Sequence, residues 1–127
     1  MDSATLVNID VEKGRETLRA LEAVGMRVPV ALWLHMSDYN DWRLALSSPE
    51  FPGEGLRKAY ESVHAALRSA GKTVGWTPPL LLFRTSDPFI CDLRRLFAKT
   101  GTVEGVRLGG QLIGDRFIND AYVYRIK

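Results

Sequence analysis

The segment Ala66-Leu67-Arg68-Ser69-Ala70-Gly71-Lys72-Thr73 comes nearest to a chemical signature in this sequence. With Ala in place of the first glycine it satisfies a relaxed phosphate-loop pattern, whose backbone N–H groups cradle phosphates. That chemistry needs a loop that leaves a strand and opens a helix, because the anion sits at the helix N-terminus. Here the apolar periodicity carries a helix up to Ala70, and Val74-Gly75-Trp76-Thr77-Pro78-Pro79 follows. Gly-Lys-Thr therefore stands at the negative pole, and nucleotide binding is not expected there. Gly53-Glu54-Gly55 lacks the rest of a dinucleotide fingerprint and reads as a loop entering a helix.

Acid–base chemistry has three candidate groups. His35 and Asp41 could act as a base and its orienting carboxylate across a hairpin, with Asp120 as a second acid. No nucleophile completes them: there is no Gly-x-Ser-x-Gly elbow, and Cys91 falls among apolar helix positions where a thiol is inert. His35, His64 and Cys91 lack paired metal-ligand spacing. Asp38, Asp41, Asp115 and Asp120 lie near hairpin ends and could supply a carboxylate-only Mg²⁺ site, but turn propensity accounts for most of them. No metal and no cofactor is expected, and the reading leans away from an enzyme.

Recognition chemistry is better supplied. Trp42 and Arg43 beside Asp41 can form an interface hot spot or stack on a base. Tyr122, Tyr124 and Arg125 offer the same choice near the C-terminus, the alternating tyrosines also suiting a cross-strand pair. Charge is uneven: residues 1–63 sum to −3 and residues 64–127 to +5, within a total of +2. Arg84, Arg94, Arg95, Lys99 and Arg107 would supply a basic surface for nucleic acid, though groove binders carry larger excesses. The basic-glycine-aromatic signature of an RNA-recognition sheet is absent.

The elements that must position these groups follow from periodicity. Val11, Leu18, Leu21 and Val24 stripe a helix over 11–24, capped by Asp10 and stopped by Gly25. Val28–Met36 and Trp42–Ser47 form a hairpin around the turn residues 37–41, and a suitable register puts Trp33, His35, Trp42 and Leu44 on one face. A second helix over 54–70 buries Leu56, Ala59, Tyr60, Val63, Ala66, Leu67 and Ala70, with Gly71 beyond its end. Leu80–Phe83, without alternation, reads as a central strand covered on both sides. Asp87-Pro88 opens a third helix that buries Phe89, Ile90, Leu93, Leu96 and Phe97 and stops at Gly101. Val106–Ile113 and Arg116–Ile126 flank the two-residue turn Gly114-Asp115. The expected fold is α+β in the order α-β-β-α-β-α-β-β: one domain over residues 1–127, with a mixed sheet of about five strands and three helices.

Apolar residues make up 46% and charged residues 25% of 127, an ordinary globular composition with room for one core. The longest apolar runs fall far short of the roughly 20 residues a membrane helix needs. No signal-peptide core follows Met1, and a lone cysteine excludes an intrachain disulfide, so a soluble cytoplasmic protein is expected. Ala31-Leu32-Trp33, Asp41-Trp42-Arg43-Leu44 with Ser48-Pro49, and Asp120-Ala121-Tyr122-Val123-Tyr124-Arg125 together resemble a set of small bacterial α+β proteins of no established activity. The resemblance spans most of the chain and implies one domain without adding a function.

The leading expectation is a non-enzymatic binding or accessory protein that acts through a sheet face or edge on a protein partner or on itself, with Trp42, Arg43, Tyr122, Tyr124 and Arg125 as binding residues. The alternatives are a nucleic-acid-associated protein using the basic set and a small hydrolase or nuclease built on His35, Asp41 and Asp120.

Overall fold

A computed structural model describes residues 6, 8–36, 41–51 and 55–127. Along the chain run α1 (Asn8–Ala23), β1 (Val30–Met36), β2 (Arg43–Ser47), α2 (Leu56–Ser69), a 3-10 turn (Val74–Trp76), β3 (Leu80–Phe83), α3 (Pro88–Leu96), β4 (Arg107–Ile113) and β5 (Arg116–Ile126). The fold is α+β in the expected order. The turn residues 37–40 and the segment 52–54, which includes Gly53-Glu54, lie outside the described residues.

All five strands join one mixed sheet in the order β3-β2-β1-β5-β4, with β2 and β3 parallel and the other neighbours antiparallel. α2 is the crossover that a parallel β2–β3 pair requires. Alternation along each strand sorts side chains to two faces. Ala31, Trp33, Leu44, Leu46, Leu80, Leu82 and Tyr124 meet Leu18 and Leu21 of α1 and Ala59, Val63 and Leu67 of α2. Val30, Leu32, Leu34, Ala45, Phe83, Ala121 and Val123 meet Phe89, Ile90 and Leu93 of α3 on the other side. Because β1 is central, all its side chains except His35 are buried. Pro29 stands just before it, where its missing N–H interrupts no ladder.

Local signals explain the helix ends. Gly25 and Gly71 take φ of 86° and 81°, and each lies in a closing turn in which Met26 N–H donates to Leu21 O and Lys72 N–H to Leu67 O. The Asp87 carboxylate accepts from Phe89 N–H at 2.9 Å, with Pro88 in the first turn of α3. Several expectations need correction. α1 begins at Asn8, so Asp10 lies inside its first turn rather than capping it. Val24, expected on the buried stripe, is 49% exposed because the helix has already ended. α3 stops at Leu96, which is 59% exposed, and Gly101 keeps an ordinary negative φ well beyond it. Ala70 is exposed at the C-cap of α2.

The largest correction concerns β3, which is an edge strand and not a central one. Its unbroken apolar run has another cause. Leu80 and Leu82 pack in the layer of α2, while Phe83 and Leu81 pack in the layer of α3, so both faces are lined although one edge is open.

Two irregularities in β5 decide what the sheet shows. Ala31 stands opposite Arg125 and Leu32 opposite Val123, so Tyr124 is an extra residue. His35 stands opposite Asp120 and Met36 opposite Ile118, so Asn119 is another. β4 follows the second shift with Gly110 at φ 59°. A kink shared by both strands reverses the alternation beyond it. Ile113 and Ile118 thereby enter the α3-side core, and their neighbours Leu112 and Phe117 are left outside.

Candidate functional site on the open half of the sheet

α1 crosses the sheet above Trp33 and Tyr124. The Trp33 indole N–H donates to the Tyr124 hydroxyl at 2.8 Å, and that hydroxyl donates to Val11 O at 2.6 Å. The relay ties β1, β5 and α1 together. Burial, opposed in part by the Trp33 hydrogen bond, pushes the Tyr124 phenol up to about 12. Tyr124 is therefore a core residue rather than a stacking platform.

Past α1 the same face continues onto β5 and β4 and stays accessible. Register sets Arg107, Tyr122, Trp33, Leu44 and Leu80 in one row across the five strands. Gly109, Asp120 and His35 form the next row. His35 stacks on Trp42 with ring centroids 5.6 Å apart. Arg107 lies 5.8 Å from the Trp42 ring centre and grips Asp120 through two contacts, Nη2 to Oδ2 at 2.6 Å and Nε to Oδ1 at 3.4 Å. Asp120 also accepts from Ala121 N–H at 2.8 Å, which fixes the carboxylate against its own strand. Tyr122 meets Tyr124 edge to face at 5.4 Å, and beyond the kink Leu112 pairs with Phe117, 68% and 47% exposed. At the border Arg15 of α1 reaches Glu12 and Glu104. Partial burial works against its charge, but those carboxylates prevail and the guanidinium is held above its ordinary value.

The structure divides the sequence candidates. His35, Trp42, Asp120, Tyr122 and Arg107 come together on this face. Asp41 and Arg43 do not, since Arg43 pairs with Leu34 on the α3 side and holds Asp41 at 3.4 Å. His35 and Asp41 thus fail to combine as base and orienter, and Asp120 is engaged by Arg107. Arg125 is turned toward α1 by the bulge at Tyr124 and pairs with Glu22. The basic set is also split. Arg94 and Arg95 ride on α3, whose core contacts are on the far face, whereas Arg107 stands over Trp42. Arg84 and Lys99 are exposed beyond the ends of β3 and α3. Lys72 of the Gly-Lys-Thr segment rests 4.4 Å from the Trp76 ring centre and pairs with Glu16, with no long helix opening behind it.

Leu112 and Phe117 were missed as surface residues because simple alternation from Tyr122 sends them to the opposite face. The signal was Gly109-Gly110 within a strand, which marks a bulge or close approach. Among the described residues no group of three His, Cys, Asp or Glu could hold a metal ion, and no helix is long and apolar enough to cross a membrane. Protein-family models, curated proteins and solved structures yield no match to the chain.

Proposed function

We propose that this protein is a non-enzymatic binding or accessory protein that acts through the open half of its sheet face and associates there with a second copy of itself. The observation that carries the reading is the shared kink at Gly110 and Asn119, which holds two large apolar side chains in water beside an aromatic and charged platform. Leu112 and Phe117 form the apolar centre that an interface desolvates, and exposed Arg107, backed by the buried Trp42 ring, supplies a residue type enriched at binding hot spots.

Charge favours a second copy over a polyanion. The face and its border carry Arg15 and Arg107 against Glu12, Glu104 and Asp120, and such a mixture repels nucleic acid as much as it attracts it. An exposed Arg107–Asp120 pair is self-complementary about a two-fold axis, because each partner can exchange its guanidinium for the other's carboxylate. The sheet edges are less suited than the face: β4 is kinked at Gly110, and β3 is four residues long.

Light scattering over a concentration series tests the reading. The protein is expected to reach twice its 14.2 kDa mass, and Phe117→Asp to remain at the monomer mass with unchanged circular dichroism. A monomer at all concentrations, or a dimer indifferent to Phe117→Asp and Leu112→Asp, refutes it.

A further inference from the structure

Away from the open half-face, the opposite edge of the sheet, at β3, holds a second feature with its own chemistry. The Pro79 carbonyl accepts from Leu44 N–H at 2.7 Å and therefore points toward β2. Strand groups alternate in direction, so Leu80 and Leu82 direct their N–H and C=O groups away from β2, along the outer edge of the sheet. Leu82 N–H meets a side chain there, the Tyr60 hydroxyl at 3.1 Å. Tyr60 belongs to α2, and its reach shows that this flank of the helix overhangs the edge of β3. The same flank, Arg57, Tyr60, Glu61, His64 and Arg68, lines a cavity of about 530 Å³. These positions are spaced by three, four and seven residues, which puts them on one side of α2, next to its buried stripe of Ala59, Val63 and Leu67.

The free edge of β3 and the α2 flank that Tyr60 links to it supply the two elements that strand addition uses, main-chain bonds for affinity and side-chain contacts for selection. We propose that together they form a groove that takes an extended segment of a partner protein bearing acidic side chains, which adds beside β3 as a sixth strand. The tyrosine hydroxyl holds the place of the first main-chain contact: Leu82 N–H exchanges it for a peptide carbonyl, and Leu80 offers an N–H and a C=O one pleat away. Charge selects the acidic class. Arg57, Arg68 and the imidazole of His64 line the groove, and Arg84 is exposed just past the strand. Glu61 is the opposing charge and is engaged by Arg57 at 3.7 Å. A four-residue strand is too short to invite long edge-to-edge pairing, yet it can accept the few main-chain bonds of a short peptide.

The probe is a fluorescein-labelled, acetylated octapeptide of alternating valine and glutamate, measured by anisotropy against the full chain, with a valine–lysine peptide as the charge control. The glutamate peptide is expected to bind and the lysine peptide not to. The variant R57E/R68E, changed only at exposed positions, should weaken binding about tenfold by turning two attractive rim charges repulsive. N-methylation of alternate peptide nitrogens should abolish binding, because the edge can pair only with intact amides, and the Leu82 amide resonance should shift on titration. Equal binding of both peptides, indifference to R57E/R68E or to N-methylation, or an unmoved Leu82 amide each overturns the proposal.

Discussion

Substitution Gly14→Ala should destabilise the protein, although helix propensity alone says the reverse. Gly14 lies in the interior of α1, where replacing glycine by alanine ordinarily gains about 0.5–1 kcal/mol. A Cβ placed there would stand 2.3 Å from the Tyr124 hydroxyl oxygen, 2.9 Å from Tyr124 Cζ and 2.8 Å from Trp33 Nε1. None of these atoms is a loose side-chain end. Tyr124 and Trp33 are 6% and 2% exposed, and the hydroxyl is held from both sides, by the Trp33 indole and by Val11 O. Relief requires either α1 to lift from the sheet or the relay to break. Overpacking a filled core costs about 1–3 kcal/mol, and loss of a buried hydrogen bond adds about 1 kcal/mol, so the clash outweighs the propensity gain by about 1–3 kcal/mol. For a chain of this size that lowers Tm by about 3–10 °C, readable by thermal unfolding monitored in the far ultraviolet. A second arm isolates the cause. In a Tyr124→Phe background the nearest contact is gone, and Gly14→Ala should cost measurably less than in the parent. A Gly14→Ala protein as stable as the parent, or more so, would show that α1 does not sit on Trp33 and Tyr124 as described.

Two further expectations concern single groups. Burial raises the Tyr124 phenol from 10.0 to about 12, so the unfolded chain releases this proton first as the solution becomes alkaline. Its contribution to stability is complete below pH 10 and is lost between about pH 10 and 12; urea unfolding across that window should show a fall that Tyr124→Phe makes shallower. Ser47 is fully buried on the α3 side, with no hydrogen-bond partner for its hydroxyl. Ser47→Ala should therefore raise stability by about 1 kcal/mol in the same assay, and a loss of that size would reveal a partner for the hydroxyl.

What the sequence made legible follows from the range of the interactions involved. Asp87-Pro88, Gly25, Gly71 and Gly114-Asp115 act within a turn of the chain, and each appears where its local chemistry put it. Trp33, Trp42 and Leu44 share a core layer, with His35 stacked on Trp42, because alternation within one undistorted hairpin is a short-range rule. The position of β3 at an edge was not readable, since an apolar run reports only that both faces are covered and says nothing about edges. The kink at Gly110 and Asn119 was hidden for a related reason. A bulge changes the face of every later residue, and its location depends on pairing with a strand some 80 residues away. The open face inherited that error: alternation places Tyr122 on it but sends Leu112 and Phe117 to the opposite face.

The kink also supports the recognition role proposed for this face. A catalytic face needs a group poised to take or give a proton, and here the potential acid, Asp120, is tied to Arg107 and to Ala121 N–H. The potential base, His35, stacks on Trp42 with the two rings inclined by 26°. These contacts fix shape and charge. Meanwhile an uninterrupted period-two strand would have sent Leu112 and Phe117 toward the α3 layer, and the chain instead adopts a left-handed glycine that turns them out. With Leu112 68% and Phe117 47% exposed, the burial forgone is worth about 1–2 kcal/mol for the leucine and about 1 kcal/mol for the phenylalanine. In the proposed dimer, a second copy covering Leu112 and Phe117 would recover that burial, with Arg107 and Asp120 at its margin to fix the register.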